Sequence, residues 1–397
     1  VQIFDQLGQA ITDRLGQWAV LAAASVLSVI LWIFARLAWR WLQQAWCFLR
    51  SRHRALSAVR RVVDRDGARE GNGVWRTRPV HPPADYANLI HSHRVLAVAN
   101  LKGGVGKTTL SANIGAYFAK DWGKRVLLVD LDYQGSLSSM CFPTSRWTPQ
   151  KGQDSLATKL ISGDVSPDLI PSLAQKVDLG EMGTGSGYLR VVTAYYDLAQ
   201  ADNRILIEWL LRCRRKFPKG LRATIAEMLV GKTLRTQDVR YTLTEALHSQ
   251  AVRNAFDLVI IDCPPRLTTS EIQAFCASSH LLIPTIFDRA SSEAVASLCE
   301  QVEILKEEGI CPHLQYVGVV GTKWRDGQSA AGKSLQRVTE TLADMDIGVH
   351  VLPKDTFVPH TVQIVNNADD GIAYIVMPGS DRQQVRVAIQ DLAQYVA

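Results

Sequence analysis

Short apolar runs alternate with longer amphipathic stretches over the C-terminal three quarters of the chain. Val95-Leu96-Ala97-Val98-Ala99, Val126-Leu127-Leu128-Val129, Leu258-Val259-Ile260-Ile261, Leu281 to Ile286, Tyr316 to Gly321 and Val349 to Pro353 have the length and branching of buried strands. Between and after them, Leu110 to Lys120 and the stretches 289–308, 328–345 and 380–396 carry helical spacing. Strand–helix alternation predicts an α/β fold with a doubly wound, mostly parallel sheet.

The N-terminal quarter has a different pattern. Leu15 to Ala35 is 21 residues without a charge, which as a helix spans about 31 Å, close to the hydrocarbon thickness of a bilayer. Trp18, Trp32, Trp39 and Trp41 suit its two interfaces. A buried core helix and a cleaved signal peptide are the competing readings. The first must explain why Arg36, Arg40 and an Arg-rich extension follow at once. The second must explain a positive charge that comes after the apolar run instead of before it. The expected layout is a short extracytoplasmic N-terminus over 1–14, a single transmembrane helix over 15–35 and an Arg-rich juxtamembrane helix over 36–66. A Gly/Pro-bearing linker over 67–93 and an α/β domain over 94–397 follow.

Charge sharpens this division. The whole chain carries a formal +6. Residues 1–93 hold 12 Arg, no Lys and 6 acids, so the remainder is balanced. The basic surplus belongs to the N-terminal region, where Arg residues over 36–61 are expected to meet anionic lipid and put the later chain on the cytoplasmic side. A nucleic-acid-binding arm is the alternative use of these arginines. The seven cysteines lack metal-ligand or CxxC spacing, as reduced, buried thiols do.

The most informative segment is Lys102-Gly103-Gly104-Val105-Gly106-Lys107-Thr108-Thr109, between an expected strand and an expected helix. Glycines there let a phosphate approach backbone N–H groups at a helix N-terminus. Lys107 would reach the β/γ-phosphates, and the Thr108 hydroxyl would ligate Mg²⁺. A literal match to G-x-x-x-x-G-K-[ST] also occurs at Gly327 to Ser334. There Ala330-Ala331 favours continuing helix over a phosphate-wrapping turn. Two further strands end in acids, Val129-Asp130-Leu131-Asp132-Tyr133-Gln134-Gly135 and Ile261-Asp262-Cys263-Pro264-Pro265, placing carboxylates at the ligand-binding edge of a parallel sheet.

With Lys102 ahead of the glycines, and with the two acidic segments in this order, residues 94–397 resemble the ParA/MinD family of P-loop ATPases. The resemblance implies a P-loop NTPase fold, ATP and Mg²⁺ as ligands, and slow hydrolysis accelerated by a protein partner. Lys102 would cross an ATP-sandwiched homodimer interface, and Asp132 would organise the attacking water. Asp130 would sit near the metal, Asp262 would hold it, and Thr322, Pro353 and Lys354 would contact the base. Taken with the apolar segment, it implies a single-pass protein of the bacterial inner membrane with a cytoplasmic ATPase domain.

The sequence departs from the family in two places. Tyr133 replaces a proline. The strand at 189–192 and the helix from Asp197 look like family elements, but about residues 212–237 are surplus and carry Arg212, Arg214, Arg215, Lys216, Lys219 and Arg222. Two alternatives stay open. One is a nucleic-acid-linked ATPase of a partition, conjugation or phage-defence system. The other is a bacterial tyrosine kinase of the capsule-polymer type, against which Tyr374 and Tyr395 stand isolated instead of clustered.

Overall fold

The computed structural model describes residues 16, 28, 32–40, 42–43, 46, 73–76, 80–142, 147–180, 187–212, 238–325, 329–360, 371–376 and 379–397. The chain divides into two compact units, Val1–Asp64 and Arg65–Ala397. In the first, residues 32–40 are helical and exposed, with the Arg36 guanidinium 4.7 Å from the centre of the Trp32 ring.

The expected membrane location is corrected here. Among the described residues no helix is long and apolar enough to cross a membrane. The described stretch 32–40 would measure only about 14 Å and contains Arg36 and Arg40, against a hydrocarbon layer of about 30 Å. Most of the apolar segment 15–35, much of the Arg-rich stretch 36–61 and residues 213–237 of the surplus segment lie outside the described residues.

The second unit is built on seven strands: β1 (Val95–Val98), β2 (Arg125–Asp130), β3 (Gln175–Lys176), β4 (Tyr188–Val192), β5 (Leu258–Asp262), β6 (His280–Thr285) and β7 (Gln315–Gly321). Their order is β3-β4-β2-β5-β1-β6-β7. All neighbours run parallel except the short edge strand β3. β1 and β5 are buried along their whole length, which is why they read as unbroken apolar runs without alternation.

The expected strand over 349–353 is not formed. Val351 makes one isolated parallel bridge to Val319, with Val319 N–H donating to His350 and Leu352 N–H to Val319, each at 2.8 Å. Pairing goes no further, because the Gly321 carbonyl that Lys354 N–H would meet next accepts Val358 N–H at 2.9 Å.

The helices that bear on the site are α1 (Tyr86–Ser92), α2 (Lys107–Lys120), α3 (Ser136–Cys141) and α4 (Asp197–Arg212). They are followed by α5 (Thr269–Ala277), α6 (Arg289–Glu307), α7 (Ser329–Met345) and α8 (Gly379–Val396). α2 buries a nearly continuous set of residues from Leu110 to Ala119. It is a central helix more than an amphipathic one, covered on its far side by the chain's last elements.

Residues 73–76 and 80–93, expected as linker, are packed into this unit. Trp75 is 2% exposed and stacks on Trp209 of α4, with ring centres 5.8 Å apart and planes 13° from parallel. Arg240 lies beneath the pair, 4.9 Å from the Trp209 ring. It donates to the Trp75 carbonyl at 2.7 Å and to Asp238 at 2.5 Å. Both charges are buried, so each depends on the other. This cluster ties the entry of the domain to residues on both sides of 213–237. Trp75→Ala is expected to lower stability by about 3 kcal/mol, read as a shifted denaturant midpoint.

Candidate nucleotide-binding site

Residues 101–106 turn from β1 into α2. Gly104 and Gly106 have φ of 74° and 87°, a left-handed conformation that side-chain-bearing residues adopt at a cost. α2 begins at Lys107 with Gly106 as its N-cap, so its first-turn N–H groups face the concavity with no intrahelical acceptor. The loop is braced from behind. Lys102 N–H donates to Asn100 Oδ1 at 2.9 Å, and Asn100 Nδ2 to the Pro284 carbonyl at 2.8 Å. Thr322 Oγ1 donates to the Val105 carbonyl at 2.7 Å, and Lys323 Nζ to that of Gly104 at 3.0 Å.

The two lysines occupy different places. Lys107 is 7% exposed, and its ammonium donates to the carbonyls of Asn100 and Lys102, both at 3.1 Å. Lys102 turns away, its side chain 31% exposed. Its Nζ donates to both oxygens of Asp288 at 3.0 Å and to Ser291 Oγ at 2.8 Å. Asp288 is also the N-cap of α6, accepting the Ser291 N–H at 2.7 Å. Burial works to raise its acid, but the Ser291 and Lys102 hydrogen bonds hold the carboxyl below the usual range.

β2 and β5 pair with Asp130 opposite Asp262, and both side chains are buried. Asp262 accepts the Thr108 hydroxyl at 2.7 Å and that of Ser111 at 3.4 Å. Asp130 does not point to Thr108. Its oxygens are taken by Ser138 N–H and Oγ (2.9 and 2.7 Å) and by Asp132 N–H (3.1 Å). Burial first, and for Asp262 the neighbouring Asp130, push both carboxyls well above their ordinary range. Asp132 is half-buried and accepts the Gln134 N–H at 3.0 Å.

A cleft lies beside the loop. Gly106, Thr109, Leu110, Asn113, Thr322, Lys323, Val358, Pro359, His360, Val385 and Ile389 line it. Of the three residues expected to contact the base, Thr322 lines this cleft and Pro353 and Lys354 do not. Pro353 caps a short 3₁₀ turn, and Lys354 Nζ sits 5.6 Å over the Trp324 ring. Val358 to His360, Val385 and Ile389 were not legible as neighbours of the loop, because late chain folds back across α2 to bring them there.

The second glycine–lysine match does not form a loop among its described residues: Ser329 to Ser334 are helical, in α7, and Lys333 is exposed. Tyr374 is 1% exposed, with its hydroxyl on Asp121, an environment unlike that of a phosphate acceptor. Among the described residues no three His, Cys, Asp or Glu side chains cluster as a metal site.

A glycine loop joining a central parallel strand to a buried helix, with a lysine inside it and a hydroxyl–carboxylate pair at its foot, defines a P-loop nucleotide-binding domain. The sequence matches over residues 96–372 the family described as the CobQ/CobB/MinD/ParA nucleotide binding domain. The chain belongs to that family. It is 29% identical over 282 residues to an uncharacterised protein of Mycobacterium tuberculosis, covering 69% of this chain and 73% of that one. It is 29% identical over 243 residues to the chromosome-partitioning ATPase Soj of Thermus thermophilus, covering 61% and 74%. Among solved structures, cobyrinic acid a,c-diamide synthase of Mycobacterium smegmatis with bound ATP analogue and magnesium superposes with a TM-score of 0.53. That pair is 26% identical, over 76% of this chain and 93% of that one.

Proposed function

We propose that the chain is an ATPase whose bound ATP closes two copies face to face, and whose hydrolysis, slow until a protein partner accelerates it, releases them. Lys107 would hold the β/γ-phosphates within one copy. Lys102 would be donated across the interface to the phosphates of the other, and Asp132 would orient the attacking water. The observation that carries this reading is the division of labour between the lysines. One is buried under the loop. The other extends along the rim with part of its side chain in solvent, held by the exchangeable partners Asp288 and Ser291. The relationship to Soj supports positioning or recruitment of a cargo as the output. The balanced charge over residues 94–397 gives nucleic acid no strong electrostatic footing, so a protein partner is the favoured stimulator.

Mg²⁺ fits the residues present. Thr108 and Asp262 would hold the ion, Asp262 through water, with Asp130 behind it across the sheet. Such an ion takes few direct protein ligands, in keeping with the absence of a larger acidic cluster among the described residues. When bound it would supply positive charge to the β- and γ-phosphate oxygens. The adjacent buried carboxyls would then share their site with a cation instead of repelling one another.

Light scattering on the purified full chain tests this reading. With ATP and Mg²⁺ the mass is expected to double. Lys102→Ala should retain ATP affinity within about three-fold and stay monomeric, because its own phosphates are held by Lys107. A wild-type chain that does not associate, or a Lys102→Ala chain that associates equally well, overturns it.

A further inference from the structure

The two acid-bearing loops touch through side chains whose identities mark this chain. Asp132 to Gly135 form a tight turn in which Gly135 N–H donates to the Asp132 carbonyl at 2.9 Å. Tyr133 is the second residue of that turn, where proline would preset φ near −65°. Tyrosine imposes no such restraint. Instead its half-buried ring meets the guanidinium of Arg266, 5.4 Å from the ring centre. Arg266 follows Asp262-Cys263-Pro264-Pro265 and is exposed.

Behind Arg266 lies Asp202 of α4, near enough for its charge to feel the guanidinium. Asp202 in turn grips the start of α5: its carboxylate accepts Ser270 N–H at 2.8 Å and Ser270 Oγ at 3.2 Å. Its backbone carbonyl accepts Thr269 Oγ1 at 2.8 Å. Arg266, carried by the segment that follows β5, thus lies over a ring in the turn after β2.

We propose that Arg266, acting through the face of Tyr133, is a positioning residue that fixes the Asp132 turn relative to Asp262. The pair replaces a covalent restraint on φ with a cross-loop cation–π contact. The two acids, one on each loop, thereby keep a set separation while the turn remains free of ring strain. This inference rests on the ATPase reading for its kinetic consequence, though not for the restraint itself.

The test uses the full chain with two readouts. In steady-state ATP hydrolysis, Tyr133→Leu and Arg266→Gln are each expected to lower kcat about three- to ten-fold, with KM changed less than about two-fold. Tyr133→Phe, which keeps the ring face, restores what Tyr133→Leu loses. The double variant should be no worse than either single one. In a Tyr133→Pro background, Arg266→Gln should have no further effect, since φ is then set by the ring. The second readout needs no hydrolysis: in the nucleotide-free chain, the Gly135 amide should exchange with solvent about three- to ten-fold faster in Arg266→Gln. Additive losses in the double variant, a Tyr133→Phe chain as impaired as Tyr133→Leu, or unchanged Gly135 exchange overturn the proposal. A wild-type chain that does not hydrolyse ATP overturns the ATPase reading, and Gly135 exchange then decides the restraint alone.

Discussion

Lys107→Ala is expected to abolish nucleotide binding, weakening the affinity for a non-hydrolysable ATP analogue by at least about 100-fold. Among the described residues the ammonium is the one cation buried beneath the glycine loop, with two main-chain carbonyls as its partners. Each charge-assisted hydrogen bond it would make to a phosphate oxygen is worth about 1.5–3 kcal/mol, and two of them exceed the roughly 2.7 kcal/mol that a 100-fold change requires. Among the described residues no other side chain is placed to substitute. Lys102 turns away from its own loop toward Asp288 and Ser291, and Lys323 reaches the loop at the Gly104 carbonyl. Calorimetric titration of the full chain measures the effect, and Lys333→Ala supplies the contrast. Lys333 belongs to the sequence that matches the general loop pattern literally, yet it is an exposed residue of α7, so its loss should leave affinity unchanged. Were the Lys333 variant the one to lose binding, the site would be misassigned.

The glycine loop was readable because its chemistry is local. A strand, a glycine turn, a lysine and a hydroxyl fall within fifteen residues, and each constrains the next. The pairing of Asp130 with Asp262 was half readable: both acids end apolar strands, but only the sheet order makes those strands neighbours. That order also sends Asp130 toward Ser138 and leaves Thr108 to Asp262, a distinction no spacing rule contains. Contacts between distant segments were hidden altogether. Lys102 and Asp288 are 186 positions apart, and nothing around Asp288 marks it beyond its fitness to cap a helix. Trp75 stands alone in a Gly- and Pro-bearing stretch and reads as linker until its partner Trp209 is known. Val349 to Pro353 misled in the opposite direction, because its apolar pattern suits a strand, yet Val358 takes the Gly321 carbonyl and the pairing ends after a single bridge.

Asp262→Asn is expected to stabilise the nucleotide-free protein by about 1–3 kcal/mol while lowering ATP hydrolysis by at least about 100-fold. Asp262 is 1% exposed beside the equally buried Asp130, and burial together with that neighbour raises its acid above the unfolded value. The sign follows from linkage. A carboxyl raised in the fold contributes fully only below its unfolded pKa of about 3.9, and that contribution is lost as pH rises through the folded value. The advantage of asparagine should therefore be small near pH 4, grow as pH rises, and level off above the folded value of about 8. Asparagine can still accept the Thr108 hydroxyl, so the local hydrogen bond does not oppose the gain. It cannot supply the anionic charge that a divalent cation needs at that position. Denaturant midpoints of wild type and variant, taken without Mg²⁺ across this pH range, test the first half. Adding Mg²⁺ and ATP analogue tests the second: wild type gains stability in proportion to ligand binding, and the variant gains much less. A variant less stable than wild type at every pH would mean that Asp262 serves the fold before it serves a cation.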